Sequence, residues 1–174
     1  MDAWIYQHKG LAYDKNGEWA QTGKVIEPLL TTLLDDPYFK RPYPKSLGKE
    51  YFSPAWLSAC LRRDDDPSDI QATLVQFTAV TIANDIKKWR SPVKHLTICG
   101  GGAHNLALMR ALSEELPQIK VDSTLAFGVD PDFIEAMMFA WLAEKAINQK
   151  PLDLRHITGA RKASVLGVIY TPSR

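Results

Sequence analysis

The sequence is poor in cysteine, in net charge and in long apolar runs, and each shortage excludes a class of protein. Two cysteines, Cys60 and Cys99, are too few for a disulfide framework, and their apolar neighbours predict buried free thiols in a reducing cytoplasm. A formal net charge of +1 supplies no basic stripe for nucleic acid. The longest apolar run, residues 136–143, is too short to cross a bilayer, and the first residues lack a signal-peptide pattern. We therefore expect no nucleic-acid or membrane partner.

The chain has the size and composition of one globular domain, with 174 residues, of which 45% are hydrophobic and 24% charged. In its second half a strand, a glycine turn, a helix and a second strand follow each other, which is the order of a βαβ unit with parallel strands. The predicted fold class is therefore α/β, rich in helix. The predicted helices are 1–8, 18–34, 54–61, 66–89, 106–116 and 130–148, and the predicted strands are 95–99, 119–122 and 165–170.

Three of these helices have clear start signals in the sequence. Asp66-Pro67 and Asp130-Pro131 each combine an N-cap carboxylate with a proline at the first helical position. Asn105 stands directly before the apolar pattern of helix 106–116 and is its predicted N-cap.

The glycine turn Gly100-Gly101-Gly102, followed by Ala103-His104-Asn105, is the most informative motif. It is not a phosphate-binding loop of the Gly-Lys-Ser/Thr type, and its spacing does not match the dinucleotide fingerprint. Two interpretations stay open. The glycines serve a tight strand-to-helix turn for packing alone, or they form a backbone cradle for a nucleotide at the start of the helix. We favour the nucleotide cradle.

Glu135 is the second candidate for a functional residue. It is the only ionisable residue between Asp132 and Glu144, in a helix that is apolar on every side over 133–143 and is therefore predicted to be buried. A buried carboxylate needs a partner or a wet cleft. Glu135 is either a paired structural carboxylate or an acceptor for ligand hydroxyls at the mouth of a site, and we favour the second interpretation.

The remaining polar candidates carry weaker signals. The irregular segment 38–52 is either a proline-stiffened surface connection with exposed cations or a loop that supports a polar substrate. His95 is predicted to be structural, and His104 is either a ligand contact or simply exposed. No acidic, histidine or cysteine pair has metal-ligand spacing, so magnesium is expected only together with a nucleotide. No nucleophile–base pair stands out.

Six blocks of the sequence together resemble the anhydro-N-acetylmuramic acid kinase family, in the same order and over essentially the whole chain. The resemblance is to the C-terminal half of that family, whose members are about twice as long. Several blocks together are far more specific than any one of them. The blocks are Met1-Asp2-Ala3-Trp4, Tyr13-Asp14-Lys15, segment 44–52 (PKSLGKEYF), Gly100-Gly101-Gly102-Ala103-His104-Asn105, segment 135–143 (EAMMFAWLA) and Thr158-Gly159-Ala160.

This resemblance implies the C-terminal lobe of a two-lobe sugar kinase, a ribonuclease-H-like lobe with a mixed sheet, from the actin, sugar-kinase and heat-shock-protein ATPase superfamily. Family members use ATP and magnesium to open anhydro-N-acetylmuramic acid with water and to phosphorylate it, giving N-acetylmuramic acid 6-phosphate for murein recycling. Carried over by position, Gly100, Gly101, Gly102 and Asn105 line the nucleotide side, and Glu135 contacts the sugar.

The resemblance also places the catalytic base outside this chain. Family members carry a glycine-rich phosphate-binding segment near their N-terminus and an Asp-Thr-Gly-Pro segment just before the Met-Asp-Ala-Trp block, whose aspartate is the expected base. Neither segment occurs in these residues. We therefore expect no catalytic residue here, no activity of this chain alone, and a missing N-terminal lobe as its partner. An exposed apolar patch at the lobe contact and a homodimer are further expectations.

Two other classes of function stay open at this point. The first is a non-catalytic module derived from the lobe that binds a ligand or a partner, which an unrelated reading frame upstream of Met1 would favour. The second is a dinucleotide-dependent oxidoreductase, which requires binding of a nicotinamide cofactor and a different glycine spacing.

Overall fold

The computed structural model of the chain describes residues 1–88 and 92–170, and within them the fold is a helix-rich α/β arrangement. No helix among these residues is long and apolar enough to cross a membrane. The elements are α1 (Asp2–Lys9), α2 (Glu27–Leu34), α3 (Pro54–Ser58), α4 (Pro67–Lys87), β1 (His95–Ile98), α5 (Leu106–Glu115), β2 (Lys120–Ser123), α6 (Ile134–Ile147) and α7 (Arg155–Thr158).

The predicted βαβ unit is confirmed. Strands β1 and β2 pair in parallel, with His95 opposite Lys120 and Ile98 opposite Ser123, and α5 forms the crossover between them. The strands end at the same edge, where the glycine turn leaves β1. This edge therefore determines where the turn and the start of α5 lie.

Helix α4 is the centre of the core and is buried on two sides. Its start is the predicted one, with the Asp66 carboxylate accepting a hydrogen bond from the Ser68 amide at 2.8 Å. Ile70 and Leu74 face a cluster formed with α1, α2 and α3, whereas Val75 and Ala79 face a second cluster formed with α5. At about 100° per residue these two pairs lie on opposite sides of the helix. The predicted end of α4 at Trp89 lies outside the described residues.

The helix predicted over 18–34 is wrong in its first half. The 3₁₀ turn Ala20–Thr22 lies in that stretch, shortly after another over Lys15–Gly17, and α2 begins only at Glu27. Pro28 lies in the first turn of α2, and within a longer helix its ring and missing N–H would break the hydrogen-bond ladder. The buried Asp14 carboxylate also takes the amides of Trp19 and Ala20, which gives this stretch a different conformation.

Two further expectations are corrected at the edges of the molecule. The strand predicted over 165–170 is absent from the described residues, where a single antiparallel bridge joins Leu152 to Ser164. Val168 and Tyr170 are exposed there and find no strand to pair with. Both cysteines are free, as predicted, but Cys99 is exposed and Cys60 only partly buried, because each lies at the end of an element and not inside the core.

Helix α6 is not buried, contrary to the expectation from its apolar composition. None of its residues is buried, and Phe139 is 63% exposed. The all-round apolar pattern indicates that a helix needs cover but does not say which element supplies it. Among the described residues little packs on α6. The apolar patch expected from the resemblance is therefore present, and Phe133, Met137, Met138, Phe139, Trp141 and Ile147 form it.

Gly17 and Gly10 provide a matched test of how the N-terminal turns pack on α5. Both have a left-handed backbone, with φ of +69° and +68°, so alanine at either position costs about 1–2 kcal/mol. A Cβ at Gly10 meets no atom within 4 Å, whereas at Gly17 it would lie 2.6 Å from Ala107 Cβ. We expect Gly17→Ala to lower the free energy of unfolding by about 2 kcal/mol more than Gly10→Ala, measured by urea denaturation. Equal losses would contradict the close approach.

Candidate functional site

A cleft of about 770 Å³, whose lining residues mostly carry polar side chains, opens beside the glycine turn. Its walls come from the start of α1, the turn after Tyr13, the glycine turn with the start of α5, and Asp132. Its volume falls within the range of about 300–1,000 Å³ that small-molecule sites occupy. The lining residues are Met1, Asp2, Tyr13, Asp14, Lys15, Asn16, Gly101, Gly102, His104, Asn105, Leu108 and Asp132.

The glycine turn is open on its outer side. Gly100 has φ of +68°, which itself favours glycine, and it starts a 3₁₀ turn over Gly101–His104. A Cβ built on Gly100 or Gly101 would meet no atom within 4 Å, and one on Gly102 would make only ordinary contact with Leu108. Packing therefore does not explain glycine at position 101. The open space leaves room for close approach of a ligand to the backbone.

Asn105 caps α5, as predicted. Its Oδ1 accepts a hydrogen bond from the Leu108 amide at 3.0 Å, which satisfies one of the unpaired amides at the start of the helix. The same residue lines the cleft. Asn105 therefore joins the geometry of the helix start to the wall of the candidate site.

Sequence reasoning missed the wall formed by Asp14, Lys15 and Asn16, although Tyr13-Asp14-Lys15 is one of the blocks that carry the resemblance. Asp14 is buried, and its carboxylate accepts hydrogen bonds from the amides of Trp19 and Ala20, both at 2.9 Å. Lys15 is the only lysine or arginine among the lining residues. Because Asp2, Asp14 and Asp132 share this lining, the described cleft is richer in acidic than in basic groups.

His104 and Asp132 form a pair that the sequence did not reveal. The Nε2 atom of His104 lies 2.9 Å from Oδ1 of Asp132, and both side chains line the cleft. Asp132 directly follows the predicted helix start Asp130-Pro131, and the pairing joins residues 28 positions apart in the chain. Only the contact between the glycine turn and the start of α6 brings them together.

Glu135 lies in the first turn of α6 and is exposed, so the expectation of a buried carboxylate is wrong. It makes no hydrogen bond or ion pair with another described residue, which leaves it without the structural partner that one interpretation required. It is not among the residues that line the cleft. It follows Asp132, which lies in the 3₁₀ turn Pro131–Phe133 directly before α6, by three positions.

Comparison with known proteins identifies the family of this chain. The model of the family described as anhydro-N-acetylmuramic acid kinase matches residues 1–172. This chain belongs to the anhydro-N-acetylmuramic acid kinase family. It is 54% identical over 170 residues to the anhydro-N-acetylmuramic acid kinase of Legionella pneumophila (strain Paris), an alignment that covers 98% of this chain and 46% of that relative.

Similar relationships hold to kinases of the same name from other bacteria. The identity is 49% to the relative from Photobacterium profundum, with 99% of this chain and 48% of the relative covered. It is 46% to the relative from Nitrosomonas europaea, with 98% and 47% covered. The chain thus spans about half the length of the curated relatives that it matches.

The cleft fits part of the ATP that a kinase family implies. Open backbone at Gly101 and Gly102 and the side chains of Asn105 and Asp132 offer partners for ribose hydroxyls and a base, but Lys15 alone is a poor complement to three phosphates. Within residues 1–88 and 92–170 no three His, Cys, Asp or Glu side chains converge as a metal site.

His95 lies apart from this cleft. Its Nε2 atom is 3.8 Å from Oδ2 of Asp122 on the neighbouring strand, and its ring meets Phe127 edge to face. The environment is that of a partly exposed strand residue with local partners. The expectation that His95 is structural agrees with these contacts.

The segment 38–52 does not line the cleft. It packs on α4 through its aromatic side chains and borders a separate, mainly apolar cavity of about 440 Å³. Lys45 is not an exposed cation, because its side chain is 5% exposed and its Nζ lies 4.7 Å from the Tyr38 ring centre and 4.0 Å from Asp85 Oδ2. A role of this loop toward a polar substrate stays a prediction.

Asp36 ties the two ends of this segment to α3. Its carboxylate accepts hydrogen bonds from the Tyr38 amide at 2.8 Å, the Tyr51 hydroxyl at 3.0 Å and Trp56 Nε1 at 2.9 Å. Burial alone would raise the pKa of Asp36, but these donors, with a smaller effect of the Arg41 charge, outweigh it and hold the pKa below its ordinary value of 3.8.

Acid should therefore release the anchoring of this segment. The pKa of Asp36 is lower in the folded than in the unfolded state, so its ionised form stabilises the fold fully at pH values above the unfolded-state pKa. This stabilisation is lost as the pH falls through the folded-state pKa. We expect Asp36→Asn to lower the free energy of unfolding at pH 7 and to flatten its decline toward about pH 3, measured by urea denaturation. Asp35→Asn is the matched control, because Asp35 makes only an exposed pair with Lys40. Parallel pH profiles for the wild type and Asp36→Asn would overturn the assignment.

Proposed function

We propose that this chain is the C-terminal lobe of an ATP-dependent kinase that hydrolyses and phosphorylates anhydro-N-acetylmuramic acid to N-acetylmuramic acid 6-phosphate. In this proposal the chain corresponds to one ribonuclease-H-like lobe of the actin and sugar-kinase superfamily. The observation that carries it is the open glycine turn beside a polar cleft, in a chain 54% identical to a kinase of that name. The compound would be opened by water and phosphorylated for murein recycling.

The nucleotide side of the proposed site is the glycine turn. Gly100, Gly101 and Gly102 would let the adenosine part of ATP approach the backbone, and Asn105 would hold the start of α5 in place beneath it. The absence of Cβ contacts at Gly100 and Gly101 supports this role. The acidic lining suits hydroxyl groups better than phosphates, so the triphosphate would extend toward the part of the kinase that this chain does not span.

The sugar side of the proposed site is Glu135. A carboxylate accepts hydrogen bonds from sugar hydroxyls, and Glu135 is exposed with no hydrogen bond or ion pair to another described residue. Its position one turn after Asp132 supports a place next to the nucleotide side. In this role Glu135 would orient the sugar and would not itself move a proton.

The catalytic base and the metal site belong, in this proposal, to the other half of the kinase. ATP supplies the phosphoryl group, and magnesium would be held mainly by its phosphates and water. The residues of this chain would bind and orient the two substrates, and such positioning, together with electrostatic stabilisation, is what drives phosphoryl transfer. The apolar surface of α6 is where we expect the other half to pack, because its exposed aromatic and methionine side chains need cover.

A chimera tests whether this chain binds the substrates while the other half of the kinase supplies the catalytic base and the metal site. The chain replaces the matched 170 residues of the Legionella pneumophila (strain Paris) kinase, and phosphorylation of anhydro-N-acetylmuramic acid is measured with ATP and magnesium. We expect activity from the chimera and none from the 174-residue chain alone. Activity of the isolated chain would contradict the missing base. An inactive chimera together with sugar binding by the isolated chain would favour a non-catalytic binding module.

A substitution at Glu135 tests the sugar contact in the same chimera. Glu135→Gln keeps the shape but removes the charge, so we expect the dissociation constant for the sugar to rise about tenfold, the loss of one charge-assisted hydrogen bond. Calorimetric titration measures it, and ATP affinity should stay unchanged. Glu114→Gln, on an exposed position of α5, is the control. An unchanged sugar affinity would remove Glu135 from the site.

A further inference from the structure

The glycine turn is fastened at both of its ends to the segment that leads into α6. At its first residue, the Gly100 amide donates a hydrogen bond to the Pro131 carbonyl at 2.8 Å. At the end of the 3₁₀ turn that follows Gly100, the Nε2 atom of His104 lies 2.9 Å from Oδ1 of Asp132. The open glycines 101 and 102 lie between these two ties. Pro131 is itself buried, so the first tie is anchored to the body of the protein.

The carboxylate that holds His104 is positioned by its own local turn. The Asp132 amide donates to Oδ1 of Asp130 at 2.9 Å, and the Phe133 amide donates to the Asp130 carbonyl at 3.1 Å. Three residues after Asp132 the chain reaches Glu135. The pair therefore joins the last residue of the glycine turn to the turn that presents Glu135.

Stability of the fold does not account for this pair. The His104 and Asp132 side chains are 56% and 60% exposed, and exposed ion pairs contribute about 0–1 kcal/mol. The Asp132 carboxylate has no other hydrogen-bond or salt-bridge partner among the described residues. The place of this contact at the wall of the cleft points instead to a local role, a bias toward one arrangement of the turn there.

From these contacts we infer that His104 and Asp132 are positioning residues, which fix the glycine turn relative to Glu135 and thereby couple binding of the nucleotide to binding of the sugar. The inference rests on the proposed function for its two ligands. Nε2–H of His104 donates to the Asp132 carboxylate, so the contact needs a donor at that position and not an imidazole as such. Neither residue takes part in a chemical step.

The first experiment uses the isolated chain and no ligand. Removing the pair leaves, among the described residues, the Gly100–Pro131 hydrogen bond as the tie of the turn to the segment before α6, so we expect His104→Ala and Asp132→Ala to speed hydrogen exchange of the Gly100 amide about three- to fivefold, measured by NMR. His104→Gln, which keeps a donor near the Nε2 position, should restore the slow exchange. His95→Ala, at a partly exposed histidine outside the cleft, is the control. Unchanged Gly100 exchange in both alanine variants would overturn the inference whether or not the kinase proposal holds.

The second experiment measures coupling in the active chimera. The dissociation constant for the sugar is determined with and without a saturating non-hydrolysable ATP analogue, and the ratio is the coupling. We expect His104→Ala and Asp132→Ala each to reduce this ratio about fivefold, the double variant to reduce it no further, and His104→Gln to retain it. An active chimera in which these substitutions leave the coupling ratio unchanged would refute the role of the pair. A chimera that binds neither ligand would instead refute the proposed function.

Discussion

The buried carboxylate of Asp14 holds three parts of the molecule in register. It accepts the amides of Trp19 and Ala20, and the side-chain amide of Gln71 on α4 approaches it at 3.3 Å. The turn that it stabilises carries Gly17, which lies against the start of α5 beside Asn105. One wall of the cleft, the centre of the core and the helix after the glycine turn thus depend on a single acidic side chain. A loss of that carboxylate would leave donors buried without acceptors, which costs more than the hydrogen bonds themselves contribute.

The charge pattern of the cleft fits a shared site better than a complete one. A site for a whole nucleoside triphosphate needs several cations or a metal to match the phosphate charge. The described cleft offers Lys15 against Asp2 and Asp132, with Asp14 already committed to the fold. In the proposed nucleotide site such a wall would meet hydroxyl groups and a base, and the charge compensation for the phosphates would come from elsewhere. The half-length match to the curated kinases is in keeping with this division.

Local signals in the sequence predicted the parts of the fold that depend on local chemistry. The Asp66 cap, the Asn105 cap and the parallel βαβ unit each follow from residues close together in the chain, and all three are confirmed. The turn over Ala20–Thr22 was missed because it depends on the Asp14 carboxylate, which also accepts a hydrogen bond from Gln71 far along the chain. Periodicity identified α6 as a helix with apolar residues on every side. The same composition is found in a helix buried in the core and in a helix that another surface would cover, so the sequence does not distinguish the two.

The candidate site could be predicted only in outline. The glycines and Asn105 were visible as a strand-to-helix turn, and their openness became apparent only from the empty space around Gly100 and Gly101.

The exposed state of α6 has a thermodynamic consequence for the chain. Heat capacity of unfolding reflects apolar surface that becomes hydrated, at about 12–15 cal/mol/K per residue in ordinary domains. A helix of 14 residues with none buried adds little to it. The free energy of unfolding of the isolated chain therefore varies less steeply with temperature than its length suggests. Only packing of another surface on α6 restores the curvature of free energy against temperature.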